Sequence, residues 1–367
     1  MTADFSVMLA AGGTGGHLFP AFALAEELGR RGIAVDLITD MRGDRYGSGF
    51  PARSVYQVPA ATLAGRSPVA AAKTLLALAR GTMAAYAILG RVRPAVVLGF
   101  GGYPAYPPLV AARLRAIPTA VHEQNAVLGR ANKMLARRVT AIATSFDKVK
   151  YLDGALAAKA TLTGNPVRQA VIAAAARPYE APGIDGTLRI LVFGGSQGAR
   201  YFTDAVPPAL AGLPASMRAR LNIVQQAREE DLERARAAYA SAGIAAKVAP
   251  FFKDLPDRMA NAHLVIGRAG ASTVAELTVI GRPGLLVPLP HALDNDQLNN
   301  ARQLAESGGG WCIEQKDLTP ERLSAEIARL LEAPHILAEA AAAAKKAGRA
   351  DAVVRLAEFV LRLAGKA

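Results

Sequence analysis

Short apolar segments alternate with helical segments along most of the chain, and this alternation limits the possible folds more than any other feature. The first round contains strand-like segments at FSVMLAA (5–11), AVDLIT (34–39), AVVLGF (95–100), TAVHEQ (119–124) and VTAIATS (139–145), then a short strand and a turn at 160–168. Helical patterns separate them at 19–30, 69–90, 106–115 and 128–136. Strands connected through helices pair in parallel, so the pattern predicts a parallel α/β sheet.

A second round begins after RPYEAPGIDGT (177–187), a loop rich in Pro and Gly. Each round opens with an apolar strand, a glycine turn and a helix. The predicted fold class is therefore α/β, with two Rossmann-like, doubly wound domains facing each other across a cleft and a boundary near Asn165–Pro166. The predicted strands of the second round are 188–195, 221–226, 246–251, 263–269 and 284–290, and the predicted helices are 199–211, 229–242, 255–260, 272–280, 295–306, 320–332 and 335–363.

The composition supports two domains of typical size with a core made mostly of Ala, Val, Leu and Ile. The chain has 367 residues, of which 51% are hydrophobic and only 6% aromatic, so disorder is not expected. A single cysteine, Cys312, excludes an intramolecular disulfide and fits a reducing compartment, and no metal site is indicated. Neither a secretory signal nor a transmembrane helix is predicted, because the apolar run 7–11 is short and the segment 68–90 is interrupted by Lys73 and Arg80.

The net charge of +13 is concentrated in the first half of the chain. Residues 1–166 carry 19 Lys and Arg against 9 Asp and Glu, whereas residues 167–367 carry 24 against 21. A basic half indicates an anionic partner, which is a nucleic acid, an acidic membrane or a phosphorylated substrate, or else it serves solubility alone. Aromatic residues are rarely interleaved with the basic ones, so nucleic acid is the weakest of these partners and is not predicted.

Three glycine turns follow predicted strands. GGTGGH (12–17) has neither the dinucleotide fingerprint G-x-G-x-x-G nor the Lys-[ST] pair of a P-loop, and it predicts a turn that brings backbone close to a ligand. GFGGYP (99–104) and GGSQGAR (194–200) repeat the feature, and the latter opens a helix whose N–H groups suit phosphate. His17 at a helix start suits a base near neutral pH, with local capping or packing as the alternative.

Polar residues cluster at the ends of other predicted strands. HEQN (122–125) favours a site, and Arg168 in TGNPVR (163–168) suits a diphosphate or is an exposed hinge arginine. In GRAGASTVAEL (267–277), Ser272 or Thr273 is expected to cap a helix whose N-terminus binds an anion. Glu276 then suits the hydroxyls of a ribose, or it only complements the helix dipole. The polar loop PHALDNDQLNNA (290–301) suits sugar hydroxyls.

Taken together and in this order, the motifs resemble those of the MurG family of GT-B glycosyltransferases. That family transfers N-acetylglucosamine (GlcNAc) from UDP-GlcNAc to the 4-hydroxyl of the MurNAc sugar in undecaprenyl-diphosphate-MurNAc-pentapeptide (lipid I), giving lipid II for peptidoglycan. The resemblance therefore implies an inverting transferase of cell-wall synthesis, cell shape and cell division. It implies an acceptor and membrane-facing domain formed by residues 1–166 and about 346–367, and a UDP-GlcNAc-binding domain formed by residues 167–345.

The resemblance also assigns site residues. His17 is the first candidate for the base and Glu123 the second, and charge from the start of the 271–276 helix, Ser196 and Arg168 is expected to stabilise the UDP leaving group without a divalent cation. Phe252 replaces an aliphatic residue common in the family, and Asp296 replaces a histidine. The acceptor diphosphate is assigned to Gly13, Gly101, Gly102 and Tyr103. The UDP-GlcNAc contacts are assigned to Thr14, Gly15, Gly16, Asn125, Arg168, Ser196, Phe252, Ala271, Ser272, Thr273, Val274, Ala275, Glu276 and Gln297.

The resemblance also explains the positive charge of the first half of the chain, because it implies a peripheral location on the cytoplasmic face of the bacterial inner membrane. The helix 69–90 is expected to lie on the anionic leaflet, although an ordinary core helix is the alternative. Cell-wall and division proteins are further candidate partners beside UDP-GlcNAc and lipid I. The apolar surface is assigned to Leu75, Leu76, Leu78, Ala79 and Met83, flanked by Lys73, Arg80, Arg91 and Arg93.

Two rival functions remain open. Another GT-B enzyme, either a lipid glycosyltransferase acting on a diacylglycerol or a UDP-GlcNAc 2-epimerase, would share the fold, and an epimerase would form UDP-ManNAc from UDP-GlcNAc alone. A non-catalytic nucleotide-sugar sensor would bind UDP-GlcNAc without turnover. The presence of His17, Glu276 and Gln297 argues against the sensor.

Overall fold

The chain folds into two compact units. Unit 1 comprises Met1–Arg168 and Ala350–Ala367, and unit 2 comprises Gln169–Arg349. The sequence prediction places the boundaries at 166 and about 346. The structure, a computed structural model, describes residues 5–12, 15–40, 49–60 and 68–366, without the side chains of 68–71, 196–199 and 293.

Unit 1 contains a fully parallel seven-stranded sheet of order β3-β2-β1-β4-β5-β6-β7. Its interior strand β1 is buried on both faces, which explains its continuous apolar sequence SVMLA. Because β1 pairs with both β2 and β4, the winding direction of the chain reverses between β1 and β4. The strands are β1 Ser6–Ala10, β2 Ala34–Thr39, β3 Ser54–Gln57, β4 Val96–Gly99, β5 Thr119–Glu123, β6 Ala141–Thr144 and β7 Ala160–Leu162.

Helices cover both faces of this sheet. One core contains Val7 and Leu9 together with Leu24 of the first helix, and the other contains Met8 and Leu109. Alternate residues of β1 therefore feed two separate cores. The helices of this part of the chain are α1 Gly15–Arg30, α2 Pro68–Val92, α3 Tyr106–Leu114, α4 Arg130–Leu135 and α5 Gly154–Ala157.

Unit 2 contains a parallel six-stranded sheet of order β10-β9-β8-β11-β12-β13. Here β8 lies between β9 and β11, so the winding reverses between β8 and β11 as it does in unit 1. The two predicted parallel α/β domains are thus confirmed. The strands are β8 Leu188–Phe193, β9 Leu221–Gln226, β10 Ala245–Ala249, β11 Leu264–Gly267, β12 Gly284–Leu286 and β13 Gly310–Cys312.

The helices of unit 2 enclose a core that extends from Leu188 and Ile190 on β8 to Ile327 and Leu337 near its end. The following helix returns to unit 1, where Leu356 packs in the same core as Leu24. The helices are α6 Gln169–Ala174, α7 Gly195–Ala211, α8 Ala215–Arg218, α9 Leu232–Ser241, α10 Leu255–Asn261, α11 Ala271–Ile280, α12 Asp296–Glu306, α13 Pro320–Glu332, α14 His335–Ala347 and, in unit 1, α15 Ala352–Leu363.

The prediction of one helix over 335–363 is wrong, because α14 ends at Ala347 and α15 begins at Ala352. Gly348 leaves the helical conformation, with φ −69° and ψ 146°. Its Cα lies so close to α11 that an added Cβ would be 2.3 Å from the carbonyl oxygen of Thr278. The break is therefore caused by close packing within unit 2.

Helix α2 packs on unit 1 and keeps an exposed apolar face. Leu78 is 8% exposed and belongs to the buried side, so its assignment to the membrane surface is wrong. Leu75 and Met83 are 70% and 66% exposed. Among the described residues, the stretch Ala72–Val92 is long and apolar enough to cross a membrane. Length and composition alone do not distinguish a spanning helix from one that packs on a sheet.

We predict that Gly348→Ala lowers the free energy of unfolding by about 1–3 kcal/mol, because the new methyl group overlaps the backbone at Thr278. Urea unfolding measures the change. Gly29→Ala in α1 is the matched control, since no atom lies within 4 Å of the added Cβ. The control should stabilise by up to about 1 kcal/mol through helix propensity. Equal effects of the two substitutions would contradict the packing explanation.

Candidate active site

The first two glycine turns meet at the carboxyl end of the unit 1 sheet. Gly12 follows β1 closely, and Gly101 and Gly102 follow β4, the neighbouring strand. The φ angles of Gly101 and Gly102 are 87° and 69°, in the left-handed region that favours glycine. This is the position where the winding reverses, and ligands of doubly wound sheets bind there.

His17 lies in the first turn of α1 with its ring against the second glycine turn. A Cβ atom on Gly101 would be 3.4 Å from Nε2 of His17, and one on Gly102 would be 3.3 Å from Nδ1. Burial lowers the pKa of His17 below its ordinary value of 6.5, against the opposing effect of a hydrogen bond with the Gly12 backbone. The imidazole is therefore neutral at neutral pH and able to accept a proton.

Glu123 is buried at the end of β5, and both of its carboxylate oxygens are occupied. Oε1 accepts hydrogen bonds from the backbone N–H (3.0 Å) and the side chain (3.4 Å) of Asn125. Oε2 accepts from the N–H of Gly129 (2.9 Å) and from Nδ2 of Asn132 (2.8 Å). Burial raises the pKa of Glu123, and these hydrogen bonds oppose the shift. The carboxylate thus fixes the loop between β5 and α4.

His122 and Gln124 are also internal. Nε2 of His122 lies 3.0 Å from the carbonyl oxygen of Gly164, and Nδ1 lies 2.9 Å from Nε2 of Gln124. Because the Gln124 amide nitrogen is a donor, the ring proton lies on Nε2 and is donated to Gly164. Burial lowers the pKa of His122 to about 4. Of the HEQN segment, only Asn125 is half-exposed, and it is therefore the member best placed to meet a ligand.

The end of unit 1 adds a buried amide and a cation. Asn165 is 5% exposed, and neither Oδ1 nor Nδ2 has a hydrogen-bond partner in the described part of the chain. A buried amide without partners is costly, so this side chain is a candidate for a ligand contact. The guanidinium of Arg168 lies 5.7 Å from the ring centre of Phe19, which is exposed on α1.

In unit 2, helix α11 begins at the carboxyl end of β11 without a side-chain cap. The N-cap is Gly270, so the prediction of Ser272 or Thr273 in that position is wrong. The backbone N–H groups of the first turn, from Ala271 to Thr273, therefore have no capping side chain and suit an anion. Glu276 is buried in the next turn, at 9% exposure.

Gln297 and Asn300 of α12 hold the turn that precedes this helix. Oε1 of Gln297 accepts hydrogen bonds from the N–H groups of Ala269 (3.3 Å) and Leu289 (3.0 Å). Nδ2 of Asn300 donates to the carbonyl oxygen of Ala269 at 3.0 Å. Gln297 thus fixes the backbone on which α11 begins.

Arg268 is a buried cation in the same region that the sequence did not mark as a site residue. Nη1 donates to the carbonyl oxygens of Val287 (3.1 Å) and Pro288 (3.2 Å), and Nη2 donates to Oε1 of Gln315 (2.7 Å). Its guanidinium lies 5.0 Å from the ring centre of Tyr201. The sequence could have marked Arg268 through its position in GRAGAS, because a charged residue directly after a buried strand is unusual.

The other predicted residues are distributed over both units. Phe252 is 7% exposed, with the Arg258 guanidinium 4.4 Å from its ring centre, so its face is covered within unit 2. The half-buried Tyr103 begins a short 3₁₀ turn. Gly15, Gly16, Val274 and Ala275 lie in the first turns of α1 and α11. The described part of the chain does not include Gly13, Thr14 or the side chains of residues 196–199, among them Ser196.

Both units match models of one enzyme family. The glycosyltransferase family 28 N-terminal domain matches residues 7–144, and the C-terminal domain of the same family matches residues 189–356. Together these segments cover well over half of the chain.

Curated relatives match over almost their whole length. The relative from Methylobacterium sp. (strain 4-46) is 56% identical, with 98% of this chain and 96% of the relative covered. The relative from Rhodopseudomonas palustris (strain BisB18) is 55% identical with the same coverage of both chains. Each is named UDP-N-acetylglucosamine--N-acetylmuramyl-(pentapeptide) pyrophosphoryl-undecaprenol N-acetylglucosamine transferase.

Among solved structures, the crystal structure of Acinetobacter baumannii MurG superposes with a TM-score of 0.81. It is 31% identical in sequence, and the match covers 98% of this chain and 99% of that one. The similarity confirms the predicted GT-B fold class.

We predict that His17 titrates below 6.5, because burial disfavours its charged form. Two-dimensional NMR of the histidine ring protons measures this, with the resonance assigned by its loss in His17→Gln. The chain unfolded in urea is the reference. Since the folded pKa is the lower one, the associated stability is present above pH 6.5 and is lost as the pH falls. A folded midpoint at or above the unfolded one would refute the prediction.

Proposed function

The chain belongs to glycosyltransferase family 28, and we propose that it transfers GlcNAc from UDP-GlcNAc to the MurNAc 4-hydroxyl of undecaprenyl-diphosphate-MurNAc-pentapeptide. The product is lipid II, the disaccharide precursor of peptidoglycan. The names of relatives that are 56% and 55% identical support this assignment. The observation that carries the chemistry is the position of the His17 ring against Gly101 and Gly102, where burial lowers the pKa of the ring.

His17 is the general base in this proposal. An inverting transfer is a single displacement, in which the acceptor hydroxyl attacks the anomeric carbon as UDP departs. The attacking hydroxyl must lose its proton, and a neutral imidazole accepts it without first having to be deprotonated. Gly101 and Gly102 lie against the ring, and the acceptor diphosphate is assigned to the backbone beside them. Tyr103 begins the turn that follows.

Glu123 serves as a positioning residue. Its carboxylate already accepts four hydrogen bonds from Asn125, Gly129 and Asn132, so taking a proton from the acceptor would release some of them. Its effect on the reaction is to hold Asn125 at the end of β5, where that half-exposed amide meets the donor.

Unit 2 binds the donor through the start of α11. The uncapped N–H groups from Ala271 to Thr273 and the helix dipole stabilise the UDP diphosphate as negative charge develops on it. Glu276, one turn further, accepts hydrogen bonds from the ribose hydroxyls. Gln297 acts by fixing Ala269, and the buried charge of Arg268 adds to the positive potential.

The leaving group needs no divalent cation in this proposal. The α11 N-terminus and Arg168 carry positive charge that a metal ion would otherwise supply.

The enzyme acts as a peripheral protein on the cytoplasmic face of the bacterial inner membrane. The exposed side chains of Leu75, Leu76 and Met83 on α2, beside the exposed Lys73 and Arg80, support contact with an anionic leaflet. This location gives access to the lipid-linked acceptor and to the cell-wall and division proteins that are its candidate partners.

We predict that the wild-type protein transfers radiolabelled GlcNAc from UDP-GlcNAc to a short-chain lipid I analogue, with or without EDTA. His17→Ala should lose about a thousandfold in rate, which is the range of general-base catalysis. Glu123→Gln, which keeps its size but loses acceptor capacity, should lose less. UDP-GlcNAc binding by calorimetry, unchanged in His17→Ala, is the control for folding.

Equal transfer by wild type and His17→Ala would remove His17 from the role of base. Donor binding without transfer by the wild type would favour the sensor. Formation of UDP-ManNAc from UDP-GlcNAc alone would favour an epimerase.

A second prediction concerns the membrane. Leu75→Glu/Met83→Glu should reduce co-sedimentation with anionic vesicles by roughly tenfold, because apolar area is lost and negative charge is added. Ile184→Glu/Phe251→Glu is the matched control, since these unit 2 residues are 72% and 69% exposed and the charge change is the same. Vesicle binding that is equal in both double variants would reject α2 as the membrane surface.

A further inference from the structure

A polar cavity lies at the amino end of the unit 2 sheet, opposite the end at which α11 begins. It has a volume of about 280 Å³, and its wall includes Arg177, Tyr179, Arg189, Asn261, His263 and Arg282. Arg189 lies near the start of β8, and His263 directly precedes β11. The cavity is thus at the amino ends of the strands whose carboxyl ends form the candidate donor site.

Arg282 gives the cavity a fixed positive charge. The side chain is 1% exposed, and its guanidinium is held entirely by carbonyl groups rather than by a carboxylate. Burial lowers the pKa of Arg282 to about 10, so it stays charged at neutral pH. Its N–H groups donate to the backbone oxygens of Arg177, Pro178, Ala260, Ile280 and Gly281 at 2.5–3.2 Å.

Two further arginines present unused donors. Nε of Arg189 donates to the carbonyl oxygen of Asn261 at 2.6 Å, and Nη1 of Arg177 donates to Oδ1 of the same residue. Within the described part of the chain, the Nη atoms of Arg189 and Nη2 of Arg177 make no hydrogen bond or ion pair. Asn261 therefore holds the two arginine side chains close together without neutralising the positive charge of either.

His263 adds a neutral donor. Its Nδ1 accepts a hydrogen bond from the backbone N–H of Arg189 at 3.1 Å, so the ring proton lies on Nε2. Burial lowers the pKa of His263 to about 4, and the charges of Arg189 and Arg282 act in the same direction. The Tyr179 ring packs edge-on against the His263 ring at 6.3 Å between ring centres, and the Tyr179 hydroxyl donates to the His263 carbonyl oxygen at 3.0 Å.

The charge around the cavity is strongly unbalanced. Three arginines line it against one carboxylate, that of the exposed Glu180, and no ion pair joins Glu180 to them within the described residues. Arginines that converge without a carboxylate partner form an anion site, and their planar donor groups match phosphate oxygens in pairs.

We propose that this cavity binds a small phosphorylated ligand, with Arg177, Arg189 and Nε2–H of His263 as its direct donors. The volume suits inorganic phosphate or a diphosphate. The bound anion would take up the free N–H groups and compensate the charge of Arg282. It would also connect the segment around Arg177, which follows the first helix of unit 2, to the start of β8 and the C-terminus of α10.

Isothermal titration of the full-length protein with inorganic phosphate and with pyrophosphate, in a buffer without other multivalent anions, tests the site. We expect saturable binding by the wild type that is weakened by roughly tenfold or more in Arg189→Gln and in Asn261→Asp. Asn261→Asp is nearly isosteric and places a carboxylate between the two arginines. Arg236→Gln, on α9, removes the same unit of charge from a residue paired with Glu233 and should bind as the wild type does.

Binding that is unchanged in both cavity variants, or no saturable binding by the wild type at about 20 mM phosphate, would overturn the proposal. A parallel flotation assay with phosphatidylglycerol vesicles identifies the source of the phosphate. If Arg189→Gln loses both phosphate and vesicle binding, the ligand is a lipid headgroup. If it loses phosphate binding alone, the ligand is a free phosphate compound.

Discussion

The parallel pairing of β1 with both β2 and β4 is the constraint on which the candidate active site depends. Because the chain winds away from β1 and β4 on opposite faces of the sheet, the segments that follow them diverge at the carboxyl end of the sheet. Gly12 and Gly101 lie where they diverge, and the start of α1 brings His17 there. Unit 2 repeats the arrangement at β8 and β11, where it leaves the start of α11 uncapped. The same strand-order reversal thus occurs in both units, at the two positions that the proposed function assigns to the base and to the diphosphate.

Most of the fold was predictable because the central strands are buried on both faces and so appear as continuous apolar runs. The edge strands β3 and β13 were missed, since both are short and only half-buried. The break at Gly348 was missed for a different reason. The alanine-rich helical pattern before it outweighed the glycine in KKAGRAD (345–351), and the close approach to Thr278 involves residues 70 positions apart. Such contacts between distant segments leave no signal in a local pattern.

The strand ends and glycine turns that the candidate site uses could be located from the sequence, but the contacts of each residue could not. Polar residues at the ends of buried strands are unusual, and this singled out the HEQN segment, whose side chains make internal hydrogen bonds in the structure. How far each member is exposed to a ligand depends on hydrogen bonds to other segments. Glu123 accepts from the loop before α4, whereas Asn125 stays half-exposed. Gln297 was expected to contact a sugar, yet its oxygen holds the backbone of Ala269 and Leu289. The packing of α2 on the unit 1 sheet likewise determines that Leu78 lies on its buried face.

The return of α15 to unit 1 affects the order in which the chain can fold during synthesis. Leu356, Phe359 and Val360 complete the core that covers α1, although more than 300 residues separate these elements. On the ribosome, the apolar face of α1 therefore emerges long before the helix that buries it. Unit 2 is continuous from Gln169 to Arg349 and is complete before α15 leaves the ribosome. The first unit to be translated is thus the last to be finished, and its exposed face makes the nascent chain a candidate for chaperone binding.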